Sequence, residues 1–512
     1  MPDEQRRVFS VIGTLPEPGG YAIAKFSRSA KPYMEWIQEL TQEGASRFYD
    51  QFYFSYGHAS IADLAHVTMV AENISIVAAI EVLDEQLVDA QESSTRYQDF
   101  TRRRYYTPPE VIGSPLAEPY TRVCDHLFAT YREVHRAVLE HYERRYAAER
   151  PPDVSDDEYR RTMRARAFDV ARYLLPASTY TGLGYLCSAR TLERQIRRLA
   201  GHPLAEIREI AEALRCAAIE PAHNPRALSI EAELQAFAAS HPDEQAEALA
   251  DQVRAAVLAG AASAPTLVRH TKPSPYPTQT EARVKELAAR LLESSAGDGA
   301  RGVQLAEPTD PTTELAATLL YRSSPLSYGQ ILDQLRARPR EEVAELAALA
   351  FTERGPHDEL LREARVGYQL VFDLCIDNGA FRDLHRHRNC IQIMKDFTAS
   401  YGYDVPPDVD EVDKGEIYRA AMDDAGELAN QLDEQVLTLG QYVLPLAYRR
   451  RALFKMDAAE LTYIAELRTR PTGHFSYREG AYQMYAEFAR RYPELAQHIK
   501  VTDPTVERFF ER

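Results

Sequence analysis

The sequence predicts a predominantly helical α+β fold made of two related units in tandem. Three observations lead to this prediction: most segments have a helix-forming composition, strand signals are few and short, and short motifs recur in the same order in both halves. With 512 residues, the chain is long enough for two large domains. Its 45% apolar and 27% charged residues are ordinary for a globular protein with sizeable cores.

Helix is predicted where helix-forming residues run without interruption. The stretch 242–260 has this composition and ends on glycine, and the stretches 433–442 and 462–488 are similar. The alternating segments 8–13 and 21–27 predict short strands. Over so few residues, a fragment of helix gives the same alternation, so helix stays an alternative for both segments.

A proline-rich segment divides the chain. Residues 262–277 carry prolines at positions 265, 273, 275 and 277, with small polar residues between them. Proline removes a backbone donor and opposes helix, so we expect an extended connector here. We therefore predict a first unit over residues 1–262, a linker over 263–280 and a second unit over 281–512.

Short motifs recur in order in the two halves. YYTPPEV at 105–111 matches YGYDVPPDV at 401–409, and ARYLLPASTY at 171–180 matches QYVLPLAY at 441–448. An arginine-bearing segment follows each Leu-Pro motif at a similar distance. This order predicts a diverged duplication. The two proline motifs are 68 residues apart in the first half and 39 in the second, so the duplication requires an insertion in the first half.

Three groups of charged residues are candidates for binding an anionic ligand. The first is Glu92, Ser94 and Arg96, whose alternation in an extended loop would project all three side chains to one side. Arginine offers a planar fork and serine a short donor, a combination that suits a nucleotide monophosphate. A solvated loop with a local Glu–Arg pair is the alternative from residue types alone.

The second group contains arginines around and after a Leu-Pro motif. Arg172 precedes Leu-Pro, and Arg190, Arg194 and Arg198 have the i, i+4 spacing that places them on one helix face. Such a stripe could hold an anionic ligand. The alternative is a solvated helix face with Glu193 nearby.

The third group is HRHRN at residues 385–389. Arg386, His387 and Arg388 put two fixed cations and a titratable imidazole within three residues. Beside a helix end, they could surround a pyrophosphate or stabilise a reduced, anionic flavin ring. A basic helix terminus is the alternative, because cations suit a helix C-terminus.

Composition and missing motifs argue against several other classes of protein. The formal charge of −17 disfavours a surface for a nucleic-acid polymer or an anionic membrane. The start MPDEQRRVFS lacks the apolar run of a signal peptide, and no long apolar stretch predicts a membrane span, so we expect a cytoplasmic protein. Five scattered cysteines without a CxxC pair argue against a disulfide framework or a zinc site. The P-loop, Rossmann, zincin and nucleophile-elbow signatures do not occur.

Taken in order, the motifs resemble the flavin-dependent thymidylate synthase family. Its members carry a Gly-His segment, an apolar helix, Arg-His-Arg, Glu-x-Ser-x-Arg, an Arg before Leu-Pro, and a late Arg followed by His. The resemblance covers roughly residues 50–215. The residues that fit it there are His58, Glu92, Ser94, Arg96, Arg172 and Arg198.

Each half lacks parts of the family pattern that the other half retains. In the first half, Asp84-Glu85-Gln86 stands in the place of Arg-His-Arg, and its two carboxylates are expected to repel a pyrophosphate. In the second half, Arg-His-Arg is intact and the late Arg and His remain as Arg468 and His474. The positions that depart from the pattern there are Met394, Asp396 and Thr398 in place of Glu-x-Ser-x-Arg, and Gln441 before Leu-Pro.

The resemblance implies two tandem units of this family and a flavin enzyme. NADPH would reduce FAD, methylenetetrahydrofolate would supply one carbon, and dUMP would become dTMP. The implied site residues are Arg198 and Arg468 for catalysis, Arg386, His387, Arg388 and His58 for FAD, and Glu92, Ser94, Arg96, Arg172 and Arg190 for dUMP. Family sites lie between the subunits of a homotetramer, so we expect a homodimer that forms a pseudo-tetramer, with composite sites and at most one flavin per chain.

Two other functions stay open. A catalytically degenerate nucleotide-binding or regulatory homologue is favoured by Asp84 and Glu85, whereas the intact residues 386–388 favour an enzyme. An enzyme that uses flavin on another nucleotide is the third hypothesis.

Overall fold

The fold is α+β and mostly helical, as the composition predicts. In the computed structural model, the described residues are 9, 11, 13–27, 33, 35, 41–55, 59–100, 104–241, 244–254, 260–292, 300–306, 310–355, 358–505 and 509–510. The strands are His66–Ser75 (β1), Val88–Glu92 (β2), Tyr180–Ser188 (β3), Gly302–Ala306 (β4), Leu370–Asp377 (β5), Ile391–Met394 (β6) and Arg449–Met456 (β7).

The helices differ widely in length, and the longest lies in the first half. Those up to residue 253 are Pro16–Phe26 (α1), Gln42–Tyr49 (α2), Ile76–Leu83 (α3), Ala117–Arg145 (α4), Asp156–Ala171 (α5), Ala189–Ala200 (α6), Ala205–Ile219 (α7), Pro225–Ser240 (α8) and Glu244–Val253 (α9). Those beyond are Tyr276–Leu291 (α10), Pro311–Arg322 (α11), Tyr328–Arg336 (α12), Arg340–Thr352 (α13), Asn378–His385 (α14), Pro407–Glu411 (α15), Gly415–Gln435 (α16), Ala458–Arg468 (α17), Phe475–Arg491 (α18) and Pro493–Ala496 (α19).

The described residues form two compact units. The first takes its residues from 1–70, 87–91 and 184–273, and the second takes its residues from 71–86, 92–183 and 274–512. The boundaries predicted at residues 262 and 281 separate two repeats along the sequence, whereas each compact unit is made of several segments. These boundaries stay a prediction.

A strand followed by a capped helix recurs four times, twice in each half. In each case, a Ser or Asp at the strand end, or next to it, accepts a hydrogen bond from a main-chain N–H in the first turn of the following helix. The capping residues are Ser75, Ser188, Asp377 and Asp457. Such a cap satisfies one of the donors that the first helical turn leaves unpaired, so the strand passes directly into the helix.

Two sheets are present in the described parts of the chain. The first has the order β1-β3-β2, and the second has the order β4-β5-β7-β6. In the second sheet the pairs are antiparallel, and Leu370 opposes Met456 where β5 meets β7. All eight residues of β5 are buried, which requires cover on both faces of the strand. Helices α10 to α13 contribute to the hydrophobic core on this sheet.

The two Leu-Pro motifs cross each other within the second unit. Pro176 and Pro445 form an antiparallel bridge. The amide of Ala177 donates to the carbonyl of Leu444 at 2.9 Å, and the amide of Leu446 donates to the carbonyl of Leu175 at 3.0 Å. Each bond repeats the other with the two motifs exchanged, as expected for two related segments that meet around a local two-fold axis.

Tyrosine contacts repeat in the same way after the two proline motifs. The hydroxyl of Tyr105 donates to Asp125, and the hydroxyl of Tyr403 donates to Asp423, at 3.0 and 2.9 Å. Tyr120 and Tyr418, the next equivalent pair, each donate to a main-chain carbonyl fourteen residues earlier. The helices that follow differ: the first half has α4 and α5 where the second half has α16, which locates the insertion that the sequence requires.

The first unit holds the proline-rich segment with a buried carboxylate. Glu17 is fully buried and accepts hydrogen bonds from the amides of Thr266 and Leu267, both at 2.7 Å. The side chain of Gln42 donates to the second carboxylate oxygen of Glu17. Residues 262–275 contain neither helix nor strand, as proline predicts, but they are not the extended connector that was expected: residues 265–267 form a turn, and these bonds pack it against the protein.

Several predicted elements need correction. The predicted strand at 21–27 is wrong, because residues 21–26 continue α1 and the alternation there is part of a helical pattern. The stretch 433–442 is not one helix: α16 ends at Gln435, and a 3₁₀ turn covers Leu439–Tyr442. Gly440 permits this turn, since a Cβ there would lie 2.2 Å from a carbonyl of α16. The stretch 462–488 is divided into α17 and α18.

Two further predictions fall partly outside the described residues. Helix α9 confirms the prediction for 244–253, and residues 255–259 lie outside the described residues. Half of the segment predicted as a strand at 8–13 also lies outside them, and the described residues 9, 11 and 13 are not in a strand. Cys124, Cys187, Cys375 and Cys390 are buried free thiols, and Cys216 is half-buried. None of the described helices combines the length and apolar character needed to cross a membrane.

We expect that Glu17→Ala loosens the proline-rich segment. The substitution removes a charged acceptor and leaves two buried amides without a partner, which costs about 2 kcal/mol or more. Hydrogen exchange at the amides of Thr266 and Leu267 should accelerate, and the thermal unfolding midpoint should fall. Glu43→Ala removes an exposed acid from α2 and serves as the control. Unchanged exchange at both amides would contradict the role of Glu17.

Candidate functional site

The Glu-x-Ser-x-Arg segment ends in a buried ion pair within the second unit. Arg96 forms a two-pronged pair with Asp169, with Nε and Nη2 at 2.7 and 3.1 Å from its two oxygens. Nη1 of Arg96 donates to the hydroxyl of Tyr477 at 3.0 Å, and Nη2 donates to the carbonyl of Thr472 at 3.2 Å. Arg96 and Asp169 are both more than nine-tenths buried. The pair therefore ties a loop of the first half to residues 472–477 of the second.

The arginine before the first Leu-Pro motif points to a carboxylate of the second half. Arg172 is 2% exposed, and its Nη1 lies 3.3 Å from Oδ2 of Asp383, which stands near the end of α14. Its other bonds are long, at 3.5 Å, and its Nε has no partner. Gly379 leaves room for this approach, because a Cβ there would lie at a tight 3.3 Å from Nη2 of Arg172.

Four arginines surround the carboxylate of Asp383. Arg172 and Arg386 form ion pairs with it. Burial alone would raise the pKa of Asp383, but the positive charges of Arg172, Arg386, Arg96 and Arg468 hold that pKa well below its usual range. Two of these arginines come from the first half of the chain and two from the second. The carboxylate is thus the centre of a cationic cluster to which both halves contribute.

The histidine of the Arg-His-Arg motif connects this cluster to an acid. Nε2 of His387 accepts from Nε of Arg468 at 2.8 Å, and Nδ1 lies 3.2 Å from Oε1 of Glu460. Burial, together with the charges of Arg468 and Arg386, lowers the pKa of His387. A neutral ring that donates from Nδ1 to Glu460 fits both contacts. The imidazole therefore fixes the orientation of Arg468.

Two more buried groups complete the surroundings. His474 is fully buried at the start of α18, where Nδ1 accepts from the amide of Ser476 and Nε2 lies 2.9 Å from the carbonyl of Asp169. Burial and the nearby arginines lower the pKa of His474 well below its usual value, so the ring is neutral and donates to that carbonyl. Glu92, the first residue of the Glu-x-Ser-x-Arg motif, is paired with Arg382.

The segment that replaces Arg-His-Arg in the first half lies against the intact copy. Asp84 forms an ion pair with Arg362, whose guanidinium also donates to the carbonyl of Asp84. The side chain of Gln86 donates to the carbonyls of Arg388 and Cys390, at 3.3 and 3.4 Å. Asp84 is thus neutralised by a cation, and Gln86 supports the backbone of the intact motif.

The structure brings together only some of the residues predicted for the site. Those in the cluster or in contact with it are Arg96, Arg172, Arg386, His387 and Arg468. Arg190 and Arg198 lie on α6 in the first unit, where Arg190 pairs with Asp63 at 3.1 Å. His58 lies outside the described residues. Arg388 is half-buried beside His387.

Two expectations about local structure are wrong. The loop 92–96 does not stay extended: Ser94 accepts a hydrogen bond from the amide of Arg96, and residues 95–97 form a turn. Glu193 is not part of a solvated face: it is buried and accepts from the amides of Arg269 and His270. A carboxylate that can satisfy two buried amides is retained in the interior despite its charge.

The acids that organise the cluster are not among the residues predicted for the site. Asp169 precedes Arg172 by three residues, and Asp383 precedes Arg386 by three. An acid at this spacing lies beside the arginine on a helix, and the same spacing before both motif arginines was the available signal. Arg386 also directly follows the last residue of α14, so the motif stands at a helix C-terminus as expected.

The chemistry of this arrangement favours an anion. Guanidinium groups in a buried site bind carboxylates or phosphates through charge-assisted hydrogen bonds. Arg172 has an unused buried donor, and Arg386 is one-third exposed, so the cluster is not closed to solvent. Among the residues with assigned placement, no group of three His, Cys, Asp or Glu side chains could hold a metal ion.

A second buried acid lies close to Arg172. Asp377 caps α14 by accepting from the amide of Ala380 at 2.8 Å, and it also accepts from the hydroxyl of Ser476. Burial, with a smaller contribution from Asp404, raises the pKa of Asp377 to about 6. The carboxyl is therefore charged at neutral pH at a cost to the folded state.

Sequence comparison finds one family in both halves of the chain. The family model described as "Thymidylate synthase complementing protein" matches residues 14–220 and 305–494. Two separate matches fit two tandem units, and together they cover well over half of the chain.

Individual relatives match different shares of the chain. A "UPF0159 protein" of Chlamydia muridarum is 27% identical over 474 residues, which cover 91% of this chain and 82% of that protein. A "UPF0159 protein" of Thermoplasma acidophilum is 27% identical over 521 residues, covering 94% and 95%. A "Flavin-dependent thymidylate synthase" of Clostridium tetani is 23% identical over 209 residues, covering 38% and 79%.

Comparison with solved structures finds a weak similarity to one enzyme. It is the flavin-dependent thymidylate synthase ThyX of Helicobacter pylori, complexed with FAD and dUMP, at 16% identity. The similarity covers 40% of this chain and 88% of that chain, with a TM-score of 0.23.

We expect Asp377→Asn to stabilise the protein at neutral pH but not at pH ~4. The carboxyl ionises near pH ~4 in the unfolded chain and near pH 6 in the folded one. The stability that the protonated form contributes is therefore complete below pH ~4 and is lost as pH rises through 6, by about 2–3 kcal/mol. An amide does not ionise, and it can still accept from Ala380 and donate to Ser476.

Thermal unfolding midpoints of the wild type and of Asp377→Asn, measured across this pH range, check the expectation. The exposed Asp333→Asn is the control for a change in net charge. A difference between wild type and Asp377→Asn that does not grow with pH would show that Asp377 is not the titrating group.

Proposed function

The chain belongs to the thymidylate synthase complementing protein family, and from this premise we propose that it is a flavin-dependent thymidylate synthase with one composite site per chain. In this proposal dUMP is methylated to dTMP, methylenetetrahydrofolate supplies the carbon, and NADPH supplies the reducing equivalents. The observation that carries the proposal is the arginine cluster around Asp383, to which the first half contributes Arg96 and Arg172 and the second half contributes the intact Arg-His-Arg motif. The relative from Clostridium tetani carries the name of this activity.

The nucleotide phosphate is assigned to the first-half side of the cluster. Arg172 has a buried Nε without a partner, and its bonds to Asp383 are long. Its guanidinium can therefore bind a new anion without breaking a tight pair. Ser94 lies two residues before Arg96, on the loop that Asp169 and Tyr477 hold in place. In this assignment Ser94 and Arg172 contact the phosphate, Arg96 positions the loop, and Glu92 acts at the edge of the substrate. Arg190 is assigned to dUMP from the family resemblance alone.

FAD is assigned to the second-half side of the cluster. Arg386, His387 and Arg388 present two cations and a neutral imidazole beside a helix end, and the one-third exposure of Arg386 leaves a way in for an anionic group. These residues fit a flavin pyrophosphate or an anionic ring. A bound, reduced FAD would supply the reducing equivalents that convert the transferred one-carbon unit into a methyl group. His58 is assigned to FAD from the family resemblance alone.

Arg468 is assigned to catalysis because of how it is held. His387 accepts its Nε–H, and the ring of Tyr477 lies 5.5 Å from its guanidinium carbon. Burial lowers the pKa of Arg468, although the guanidinium stays charged at neutral pH. A cation with this fixed orientation can stabilise negative charge that develops on a bound pyrimidine. Arg198 is assigned to the same role in the first half from the resemblance alone.

The proposal includes a homodimer arranged as a pseudo-tetramer in the cytoplasm, without a nucleic-acid polymer or a membrane as a partner. The alternative is a catalytically degenerate nucleotide-binding or regulatory homologue. One observation favours the alternative: Asp84 and Gln86 are engaged with Arg362 and with the backbone of the intact motif, so only one Arg-His-Arg motif remains for each chain. Use of flavin on another nucleotide is the third possibility.

Conversion of dUMP is the direct test of the proposed activity. Purified protein is incubated with FAD, NADPH, methylenetetrahydrofolate and dUMP, and formation of dTMP is measured by chromatography. We expect dTMP to form only when all four compounds are present. A flavin-containing protein that makes no dTMP supports the third possibility, and a protein without flavin supports the regulatory alternative.

We expect at most one flavin per chain, held by the intact motif. After saturation with FAD and removal of the excess, the visible flavin absorbance per chain should be markedly lower in Arg386→Ala/Arg388→Ala than in wild type, because two charge-assisted contacts are lost. Arg122→Ala/Arg160→Ala removes two exposed arginines and is the matched control. Equal flavin content in all three proteins would mean that residues 386–388 are only a basic helix end.

We expect Arg172→Gln to weaken binding of dUMP by about tenfold or more, since a charge-assisted contact to a phosphate is lost. The chain offers a matched control, because Gln441 occupies the equivalent position before the second Leu-Pro motif. Gln441→Ala should bind dUMP as the wild type does. Calorimetric titration measures both affinities, and the same affinity for Arg172→Gln and wild type would remove Arg172 from the substrate site.

A further inference from the structure

The cationic cluster already contains an anion that belongs to the chain. Asp383 forms ion pairs with Arg172 and Arg386, and Arg96 and Arg468 act on it electrostatically. No motif of the sequence includes Asp383, and the proposed function gives it no role. Its side chain is only 13% exposed, so ionised Asp383 would be unfavourable there without the surrounding cations.

The carboxylates around the cluster balance its arginines. The four arginines carry four positive charges, and Asp169 and Asp383 carry two negative charges. Glu460, which His387 separates from Arg468, and Asp377, which lies close to Arg172, add two more negative charges. Because no cation is in excess in this largely buried place, a further anion binds at lower cost if it displaces one of the carboxylates.

The contact between Arg172 and Asp383 has the geometry of a replaceable pair, whereas Asp383 also keeps a short contact with Arg386. The bonds from Arg172 to Oδ2 of Asp383 are 3.3 and 3.5 Å, longer than an optimal charge-assisted bond, and Nε of Arg172 donates to nothing. In contrast, Arg96 and Asp169 are joined by two short bonds. The ion pair between Arg172 and Asp383 is therefore the one that a ligand can open at lower cost.

We propose that Asp383 holds the phosphate-binding arginines in the ligand-free protein and that a phosphate monoester displaces its carboxylate from Arg172. Asp383 is then an internal competitor that sets the affinity of the site for phosphate. The identification of the ligand as a nucleotide phosphate rests on the proposed function, whereas the competition itself concerns any phosphate dianion. Removal of the carboxylate should therefore strengthen binding, which is the opposite of what loss of a binding residue does.

Inorganic phosphate is the probe, because it tests the anion site without the nucleoside, the folate or the flavin. Calorimetry on the full chain should show phosphate binding about tenfold tighter in Asp383→Asn than in wild type, as one competing charged contact is removed. Phosphate should also raise the thermal unfolding midpoint of Asp383→Asn more than that of wild type, because a ligand stabilises the state that it binds. Glu411→Gln, an exposed acid paired with Arg145, is the control for net charge.

Loss of Asp383 leaves buried arginines without their partner and could prevent folding. Arg386→Gln and Asp383→Asn/Arg386→Gln avoid this outcome, because the double variant removes one charge of each sign. Phosphate should bind the double variant more tightly than Arg386→Gln. Equal or weaker binding after the change at Asp383, in either background, would overturn the proposal. A failure to methylate dUMP would not affect this result, so the two proposals fail separately.

Discussion

The crossing of the two Leu-Pro segments is the constraint on which the rest of the second unit depends. Proline lacks an amide donor and cannot continue a helix, so the turns at 172–174 and 439–442 both end before the proline that follows them. The two segments then satisfy each other through main-chain bonds on both sides of Pro176 and Pro445. This contact fixes where β3 and β7 begin, and it determines where Arg172 lies.

The two equivalent places around this crossing differ in charge. On one side, Arg172 and the intact motif produce the cationic cluster. On the other side, Gln441 replaces the arginine, and Asp84 is neutralised by Arg362. Arg450 is buried there between the rings of Phe381 and Phe397, and burial lowers its pKa to about 10. A local two-fold arrangement of the backbone thus carries an asymmetric distribution of side-chain charge, with the arginine cluster on one side only.

Local patterns predicted the composition of the fold better than its boundaries. The helical character, the nonhelical segment at 262–275 and the helix end at Arg386 follow from proline, glycine and helix-forming residues near in sequence. The break after Gln435 does not, because it depends on Gly440, whose amide donates to Asp433 and whose missing side chain permits close packing on α16. The presence of a glycine in the sequence does not predict such a break, because the contacts that require the glycine form only in the folded chain.

The same limit applies to the site. Arg96, Arg172, Arg386 and Arg468 could be chosen from the sequence because their spacing fits a known pattern. Asp169 and Asp383 could not, since their importance comes from partners brought together by the fold. Asp84 is a converse example. Its charge in the sequence predicted repulsion of an anionic ligand, but in the fold its ion pair with Arg362 removes most of that effect.

The shared cluster has a consequence for how such a chain can evolve. Two copies of a unit ordinarily provide redundancy, because a substitution that damages one copy leaves the other intact. Here Arg172 and Asp169 come from the first family match, and Asp383, Arg386 and Arg468 come from the second. Neither match contains every residue of the cluster, so a substitution in either half alters the same cluster. The second copy therefore cannot replace the first. If the two halves were encoded by separate genes, the two proteins would have to associate to form the cluster.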